Sequence, residues 1–370
     1  MARLLHVSAN QFPKLEHGHF TKKIWVELAA GFDHYYIMGR SQTNKFSIET
    51  EGNITLYLIP KITDRSLVFV FSSFYLFILI KKYKITHLLA QSAMLGGFSA
   101  ALASSWFKIP LMTEIHGDIY FKYLKSKSFF NRIISAIIKF SFKKSTVVRS
   151  VSKTMTDDLA KFGIIKNVIE IPYRVDFTLF GDPKMDYSLN DPIKIISIGR
   201  FVEQKGYDIA IEACNKLSKN YNIKLYLIGG GKLEAHYKKL INGAAVVLVD
   251  KLPQSELIPF LKGGDIYIQP SKPFFGEAMP RTILEAMAMK LPIIATNVAA
   301  IPGVLSDHHN SILINTNSSD ELMNAIVKLI DDRDLREKIA LQGYKDAKEK
   351  YEWNKVFEMY RNALLYMKFR

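Results

Sequence analysis

The chain of 370 residues contains a single cysteine, Cys214. One thiol excludes a disulfide framework and a cysteine zinc site, and it suits a reducing cytoplasm. Its place inside a helical pattern makes it small core filling. Long hydrophobic runs are also missing. A spanning helix needs roughly 20 apolar residues, and the longest run, Leu67–Ile80, stops after 14. That run is expected as a buried helix, with a membrane-dipping helix as the alternative. The opening residues Met-Ala-Arg-Leu-Leu-His-Val-Ser-Ala predict a short strand rather than a signal peptide, because polar residues follow at once. No repeat of 20–50 residues and no low-complexity tract occurs. RNP-like, helix-turn-helix and zinc-finger signatures are absent, so charge and aromatics alone do not argue for a nucleic-acid partner. Acidic residues are scarce in the first half. Residues 1–150 hold 20 Lys and Arg against 8 Asp and Glu, a net +12 out of +15 for the whole chain. Residues 121–150 hold 8 basic residues and no acidic one. Such a half is expected to face an anionic surface.

What is present is an alternation of strand and helix patterns, with hydrophobic content (48%) sufficient for sizeable cores. Strands are predicted at Leu4–Ser8, Tyr35–Met38, Ile54–Ile59, Thr86–Ala90, Pro110–Ile115, Thr146–Val151 and Val168–Ile171. Helical patterns at His19–Ala30, Leu67–Tyr83, Leu95–Phe107, Phe129–Lys143 and Lys153–Lys161 separate most of them. Residues 181–192, polar and with two prolines, read as a linker. The pattern restarts with a strand at Ile193–Ile198 and a helix at Tyr207–Leu217. The fold class is therefore α/β, two Rossmann-like halves with parallel sheets. The predicted boundaries are a first Rossmann-like domain over 1–180, the linker, a second over 193–348, and a C-terminal helix over 349–370 packing back on the first domain.

Two stretches carry chemistry. Residues 265–296 read as strand, loop, helix and strand, with Glu277 ending the loop and Glu285 inside the helix. Pro280 fits a first helical turn, where its missing N–H costs nothing. A helix start just past a strand end offers free amides and a positive dipole end to an anion. A carboxylate such as Glu285 accepts from two adjacent hydroxyls, as on a ribose. The second stretch is Gly199-Arg200-Phe201-Val202-Glu203-Gln204-Lys205-Gly206. Gly199 permits a close turn at the strand end, while Arg200 and Lys205 form a two-cation clamp for a diphosphate. His308 and His309 in Asp-His-His-Asn lack further ligands at metal spacing, so no metal site is expected.

Gly199-Arg200 with Lys205-Gly206, then Gly229-Gly230-Gly231, Pro270-Ser271, Glu277 and Glu285-Ala286-Met287-Ala288, resemble in order and spacing the nucleotide-sugar half of retaining glycosyltransferase family 4, the glycosyl transferases group 1. The match runs over 193–330. A weaker one over roughly 1–175 rests on Gly18, His116 and Val151-Ser152. The sequence departs from the family at His17-Gly18-His19, where many members carry a glycine pair. It departs again at Glu277-Ala278-Met279-Pro280, in place of Glu-Gly-Phe-Gly, and at Asp250, where glycine is common.

The resemblance implies a GT-B fold, two Rossmann-like domains facing each other across a cleft. It also implies transfer, with retention, of a sugar from a nucleotide diphosphate-sugar. Arg200 and Lys205 would hold the diphosphate and Glu285 the ribose, while Glu277 would contact the sugar or order the loop around it; the 193–348 domain would thus bind the nucleotide-sugar and the 1–180 domain the acceptor. Amides near Arg281 and Thr282 would meet a phosphate, and Leu252 would line the base. His116 would face the sugar, and Gly18 would allow close approach of donor and acceptor. Of these, His116, Glu277, Arg200 and Lys205 form the expected catalytic set. No cofactor is implied, and transferases of this fold do not require a metal. Lys122, Lys125, Lys127, Arg132, Lys139, Lys143 and Lys144, around Ile133, Ile134, Ile137, Ile138 and Phe142, form a basic amphipathic face. It would bring the protein to an anionic membrane and a lipid-linked saccharide acceptor, as a cytoplasmic enzyme peripheral on the inner face of the plasma membrane. Bacterial surface polysaccharide synthesis is the expected setting. The competing readings are a nucleotide-sugar epimerase of the same fold and a non-catalytic nucleotide-sugar-binding protein.

Overall fold

A computed structural model describes residues 2–15, 20–61, 67–117, 119–126, 128–165, 167–273 and 279–369. Gly18, Lys127 and Glu277 lie outside the described residues. The chain divides into two compact units, Met1–Ile171 with Phe357–Arg370, and Pro172–Val356.

The first unit is built on eight strands: β1 (Arg3–Phe12), β2 (His34–Ser41), β3 (Ser47–Glu51), β4 (Ile54–Ile59), β5 (His87–Ala90), β6 (Leu111–Glu114), β7 (Val147–Ser150) and β8 (Val168–Glu170). Their order is β3-β4-β2-β1-β5-β6-β7-β8, parallel except for β3 against β4. β1 lies inside the sheet, and Leu4, Leu5 and Val7 are fully buried there. Near-continuous apolar strands are what a parallel sheet covered on both faces requires. β3 is not expected from sequence. Its Ser-Ile-Glu-Thr-Glu is polar and mostly exposed, as suits a sheet edge.

The apolar run at 67–80 is not the single buried helix expected. It forms helix Leu67–Ser72, a 3-10 turn at Ser73–Tyr75 and helix Leu76–Tyr83, and it leaves Phe71 79% and Ile78 58% exposed. The Ser72-Ser73 pair marks the break, where Ser73 Oγ donates 2.6 Å to the Val70 carbonyl instead of leaving it to the helix. A helix at Ile119–Lys125, also unexpected, precedes Phe129–Lys144. No helix of the described residues is long and apolar enough to cross a membrane.

The second unit carries β9 (Ile193–Arg200), β10 (Ile223–Gly230), β11 (Val246–Val249), β12 (Ile266–Gln269), β13 (Ile293–Thr296) and β14 (Ile312–Ile314), all parallel in the order β11-β10-β9-β12-β13-β14. The strand order reverses between β9 and its neighbours β10 and β12, where open parallel sheets bind ligands at their carboxyl ends. Residues 181–192 run along this unit. Buried Asp265 gathers Lys184 Nζ (3.3 Å), Asn190 Nδ2 (2.8 Å) and the Lys194 amide (2.8 Å), and Tyr187 donates to the Lys290 carbonyl at 3.2 Å. Cys214 is buried among the apolar side chains under β9 and β10.

Candidate active site

The switch point of the second unit is shaped by glycines. Gly199 of β9 pairs with Gly229 of β10. A Cβ on Gly199 would lie 2.8 Å from Tyr207 Oη and 3.2 Å from Lys205 Cε. The Lys205 stem thus lies over the end of β9, in space only a glycine leaves open. Gly206 ends the 3-10 turn Glu203–Lys205 with φ +62°, and a Cβ there would come within 1.9 Å of the Pro270 carbonyl oxygen. The same loop is tied across by the Lys272 amide, which donates 2.8 Å to the Gln204 carbonyl. The cation-bearing loop after β9 is thereby fixed against the loop after β12. Arg200 is exposed, and its side chain has no hydrogen bond or ion pair among the described residues. Lys205 is half-buried.

Beyond β12 the chain enters helix Arg281–Ala288 with Pro280 as its N-cap, extended at φ −67° and ψ 118°. Thr282 Oγ1 reaches Gln269 Oε1 at 3.4 Å, and Tyr267 Oη donates to the same oxygen at 3.1 Å. Gln269 Nε2 donates 2.9 Å to Ser271 Oγ, and Thr296 Oγ1 donates 2.7 Å to the Ser271 carbonyl. This buried polar network fixes the helix start against the strand ends. Sequence reading missed Gln269 and Thr296. Their signal was a polar side chain closing each of two otherwise apolar strands.

Glu285 lies one turn along the helix from Arg281. It is half-buried, and its carboxylate has no hydrogen bond among the described residues. Burial pushes its carboxyl above the ordinary value, opposed in part by Arg281. Arg281 itself is exposed, with its guanidinium 4.5 Å from the Tyr173 ring centroid. Leu252 is half-buried, three residues past the end of β11. The structure therefore brings Gly199, Lys205, Gln269 and Thr282 together and leaves Glu285 an acceptor with no donor among the described residues.

In the first unit His116 follows β6. Its Nε2 lies 3.1 Å from Glu114 Oε2, and Arg149 Nη1 lies 2.5 Å from Glu114 Oε1. Glu114 is buried. Burial pushes its carboxyl up, but the neighbouring His116 and Arg149 outweigh this and hold it well below the usual carboxylate range. The Arg149 guanidinium also sits 4.4 Å from the Tyr360 ring centroid and donates 3.1 Å to the Ile171 carbonyl. His6, buried on β1, contacts Tyr35 Oη through Nδ1 at 2.8 Å, and burial lowers its pKa to about 4. Glu114 was legible as a partner of His116, two residues away and on the same side of the chain.

Of the expected basic face, Lys122, Lys125, Arg132, Lys139, Lys143 and Lys144 are exposed. Ile138 and Phe142 are buried in the unit, so the apolar side chains that accompany the cations outward are Phe129, Phe130 and Ile133, 79%, 69% and 47% exposed. A groove of about 860 Å³, lined by Lys139, Lys143, Lys144, Ile165 and Phe369 among others, lies at the amino ends of β7 and β8, opposite the His116 end of the sheet. Among the described residues no group of three or more His, Cys, Asp or Glu is placed to hold a metal ion.

A family profile described as Glycosyl transferases group 1 matches residues 186–346, and one described as Glycosyltransferase Family 4 matches residues 28–177. The chain belongs to glycosyltransferase family 4. An uncharacterised glycosyltransferase of Methanocaldococcus jannaschii, MJ1069, is 27% identical over 64% of this family 4 chain and 62% of its own length. The capsular polysaccharide biosynthesis glycosyltransferase CapM of Staphylococcus aureus is 26% identical over 60% of each chain. The chain thus spans about three fifths of these two relatives. Among solved structures, HepE of Anabaena in complex with UDP-glucose superposes with a TM-score of 0.73 at 15% identity, covering 99% of this chain and 100% of HepE. The fold class is GT-B, with two parallel-sheet α/β units.

Proposed function

We propose that this family 4 chain is a retaining glycosyltransferase that moves a sugar from a nucleotide diphosphate-sugar to a saccharide acceptor, lipid-linked, in bacterial surface polysaccharide synthesis. One observation carries the reading. The Lys205 loop is fixed against the end of β12 beside a helix start, and Glu285, a desolvated carboxylate with no donor among the described residues, stands in that helix. Cations and amides suit a diphosphate, and an unpaired carboxylate suits vicinal hydroxyls. The UDP-glucose bound by HepE and the capsular role in CapM's name support the donor and acceptor classes.

In this reading bond cleavage leaves negative charge on the departing diphosphate. Arg200, Lys205 and the amides of Arg281 and Thr282 stabilise it in place, where fixed charges need no reorganisation. The acceptor hydroxyl attacks from the face the diphosphate leaves, and a phosphate oxygen takes its proton, so the configuration is retained. Glu277 orders the sugar, Leu252 lines the base, and His116, held by Glu114, orients and polarises the sugar. Gly18 allows donor and acceptor to approach closely. No metal or other cofactor takes part. The exposed cations of Lys122–Lys144, with Phe129, Phe130 and Ile133, bring the enzyme to anionic lipid on the inner face of the plasma membrane.

The test is Lys205→Ala. Turnover with the donor and acceptor is expected to fall by roughly 10²–10³, as for loss of one oxyanion-stabilising donor, with the thermal unfolding profile unchanged. Near-normal turnover removes the clamp. Nucleotide released in step with glycosylated acceptor separates transfer from epimerisation and from binding alone.

A further inference from the structure

A second apolar surface, apart from the basic helix, lies on the first unit. Helices Leu67–Ser72 and Leu76–Tyr83 are joined by the 3-10 turn, and the turn and the second of these helices pack beside helix Gly97–Phe107. Phe71, Phe74 and Ile78, spaced three and four residues apart, share one outward face and are 79%, 40% and 58% exposed. Trp106, on the neighbouring helix, is 77% exposed. A groove lined by Phe77, Ile78, Lys81, Trp106 and Phe107 lies between helices Leu76–Tyr83 and Gly97–Phe107, and the Phe77 ring lies 6.1 Å from that of Phe74 and 5.7 Å from that of Phe107. Large aromatic side chains gathered in this way are not ordinary surface, and contiguous exposed apolar patches mark interaction sites.

The charges around the patch choose the partner. Both helices end on a lysine in the left-handed conformation, Lys84 (φ 50°) and Lys108 (φ 55°). Lys81 and Lys82 stand exposed in the last turn of the first. Residues 67–113 contain no Asp or Glu at all. In a two-fold contact the same patch meets itself, so these lysines would face their own copies, with no carboxylate from 67–113 to offset them. A bilayer of anionic lipid supplies the opposite charge and an apolar interior. Tryptophan and lysine are also the side chains that settle at its interface, ring in the acyl boundary and ammonium at the phosphates.

We propose that Phe71, Phe74, Ile78 and Trp106 form a membrane-insertion surface, Trp106 entering the acyl boundary of an anionic bilayer while Lys81, Lys82, Lys84 and Lys108 contact its phosphates. This rests on the membrane reading above and deepens it, because it names the inserting side chains and puts them on helices other than Phe129–Lys144. Helix Gly97–Phe107 packs against both that helix and Leu76–Tyr83, so the two surfaces belong to one helical layer.

Trp106 is also its own probe. The chain has three tryptophans, and Trp25 and Trp353 are buried at 1% and 3% exposure. The full chain is mixed with vesicles of phosphatidylcholine and phosphatidylglycerol at low salt. The expected result is a blue shift of tryptophan emission and quenching by lipids brominated along the acyl chain, both absent with Trp106→Phe. Phe71→Ser combined with Trp106→Ser should weaken vesicle partition by about tenfold or more, since it deletes the two aromatic side chains that the bilayer would bury. Because both residues are exposed, the melting curve should stay unchanged. Co-sedimentation without a shift or quenching would overturn this inference and leave the basic-helix reading standing. Failure to co-sediment at all would remove both. A concentration-dependent dimer dissolved by the same double substitution would assign the patch to a second copy of the chain instead.

Discussion

Replacing Glu285 by glutamine should move stability and donor affinity in opposite directions. In the empty protein the Glu285 carboxylate is half-buried with no hydrogen-bond donor among the described residues, and burial raises its pKa. A carboxyl raised in the folded state contributes stability that is complete below its unfolded value and is lost as pH rises through the folded one. At neutral pH the ionised group therefore opposes folding. Glu285→Gln removes the buried charge and keeps the shape, so the ligand-free protein should gain about 1 kcal/mol, or roughly 2–4 °C in Tm for a unit of this size. In the proposed donor complex the carboxylate accepts two ribose hydroxyls as charge-assisted hydrogen bonds. An amide oxygen makes only neutral ones, a difference of about 1–3 kcal/mol, or roughly 5- to 150-fold in Kd. The assay is calorimetric titration of nucleotide diphosphate at pH 7 alongside thermal unfolding of the empty protein. Wild-type affinity should also decline as pH falls through the Glu285 pKa, a dependence the variant lacks. A variant that is less stable and binds normally would refute the reasoning, because Glu285 would then be a structural residue.

Gly206→Ala should cost well over 1 kcal/mol and weaken donor binding, since a left-handed φ and a Cβ 1.9 Å from the Pro270 oxygen both resist a side chain; denaturant unfolding and nucleotide titration check this, and an Ala variant of native stability contradicts it. Glu114→Gln should destabilise by about 3–5 kcal/mol by stranding the buried Arg149 charge, read by chemical denaturation. Acid should destabilise the protein in two overlapping stages. His6, neutral in the fold with its pKa lowered to about 4, withdraws stability as pH falls from 6.5 towards 4, on the order of 3 kcal/mol in full. Glu114, held low, then withdraws its share as pH falls below 4.5 through its depressed folded value. His6→Asn should flatten the first stage in a pH series of melting curves, and an unchanged profile removes His6 from the account.

Local chemistry made much of the second unit legible. The helix Tyr207–Leu217 and the strand–loop–helix around Arg281 follow from apolar spacing, from Pro280 and from Gly199 and Gly206 marking a strand end and a turn, although the close approach of Pro270 to Gly206 appears only in the fold. What escaped sequence reading depends on partners distant in sequence. Residues 181–192 look like a linker until Asp265, some 75 positions away, is seen to gather Lys184 and Asn190. The run 67–80 reads as buried because its composition is apolar, yet only tertiary packing decides that Phe69 goes in and Phe71 stays out. β3 exists because β4 offers it an edge, not because Ser-Ile-Glu-Thr-Glu prefers extension.

The central claim is that the carboxyl ends of β9 and β12 hold a nucleotide diphosphate-sugar. The most direct measurement is a thermal-shift panel of UDP-, GDP- and ADP-sugars on the full chain, with Lys205→Ala in parallel. One nucleotide class should raise the melting temperature, by about 2.7 kcal/mol of added stability at a hundredfold excess over Kd, and Lys205→Ala should abolish most of the rise. A melting temperature unmoved by every nucleotide sugar, or an equal rise in the Lys205→Ala protein, would contradict it.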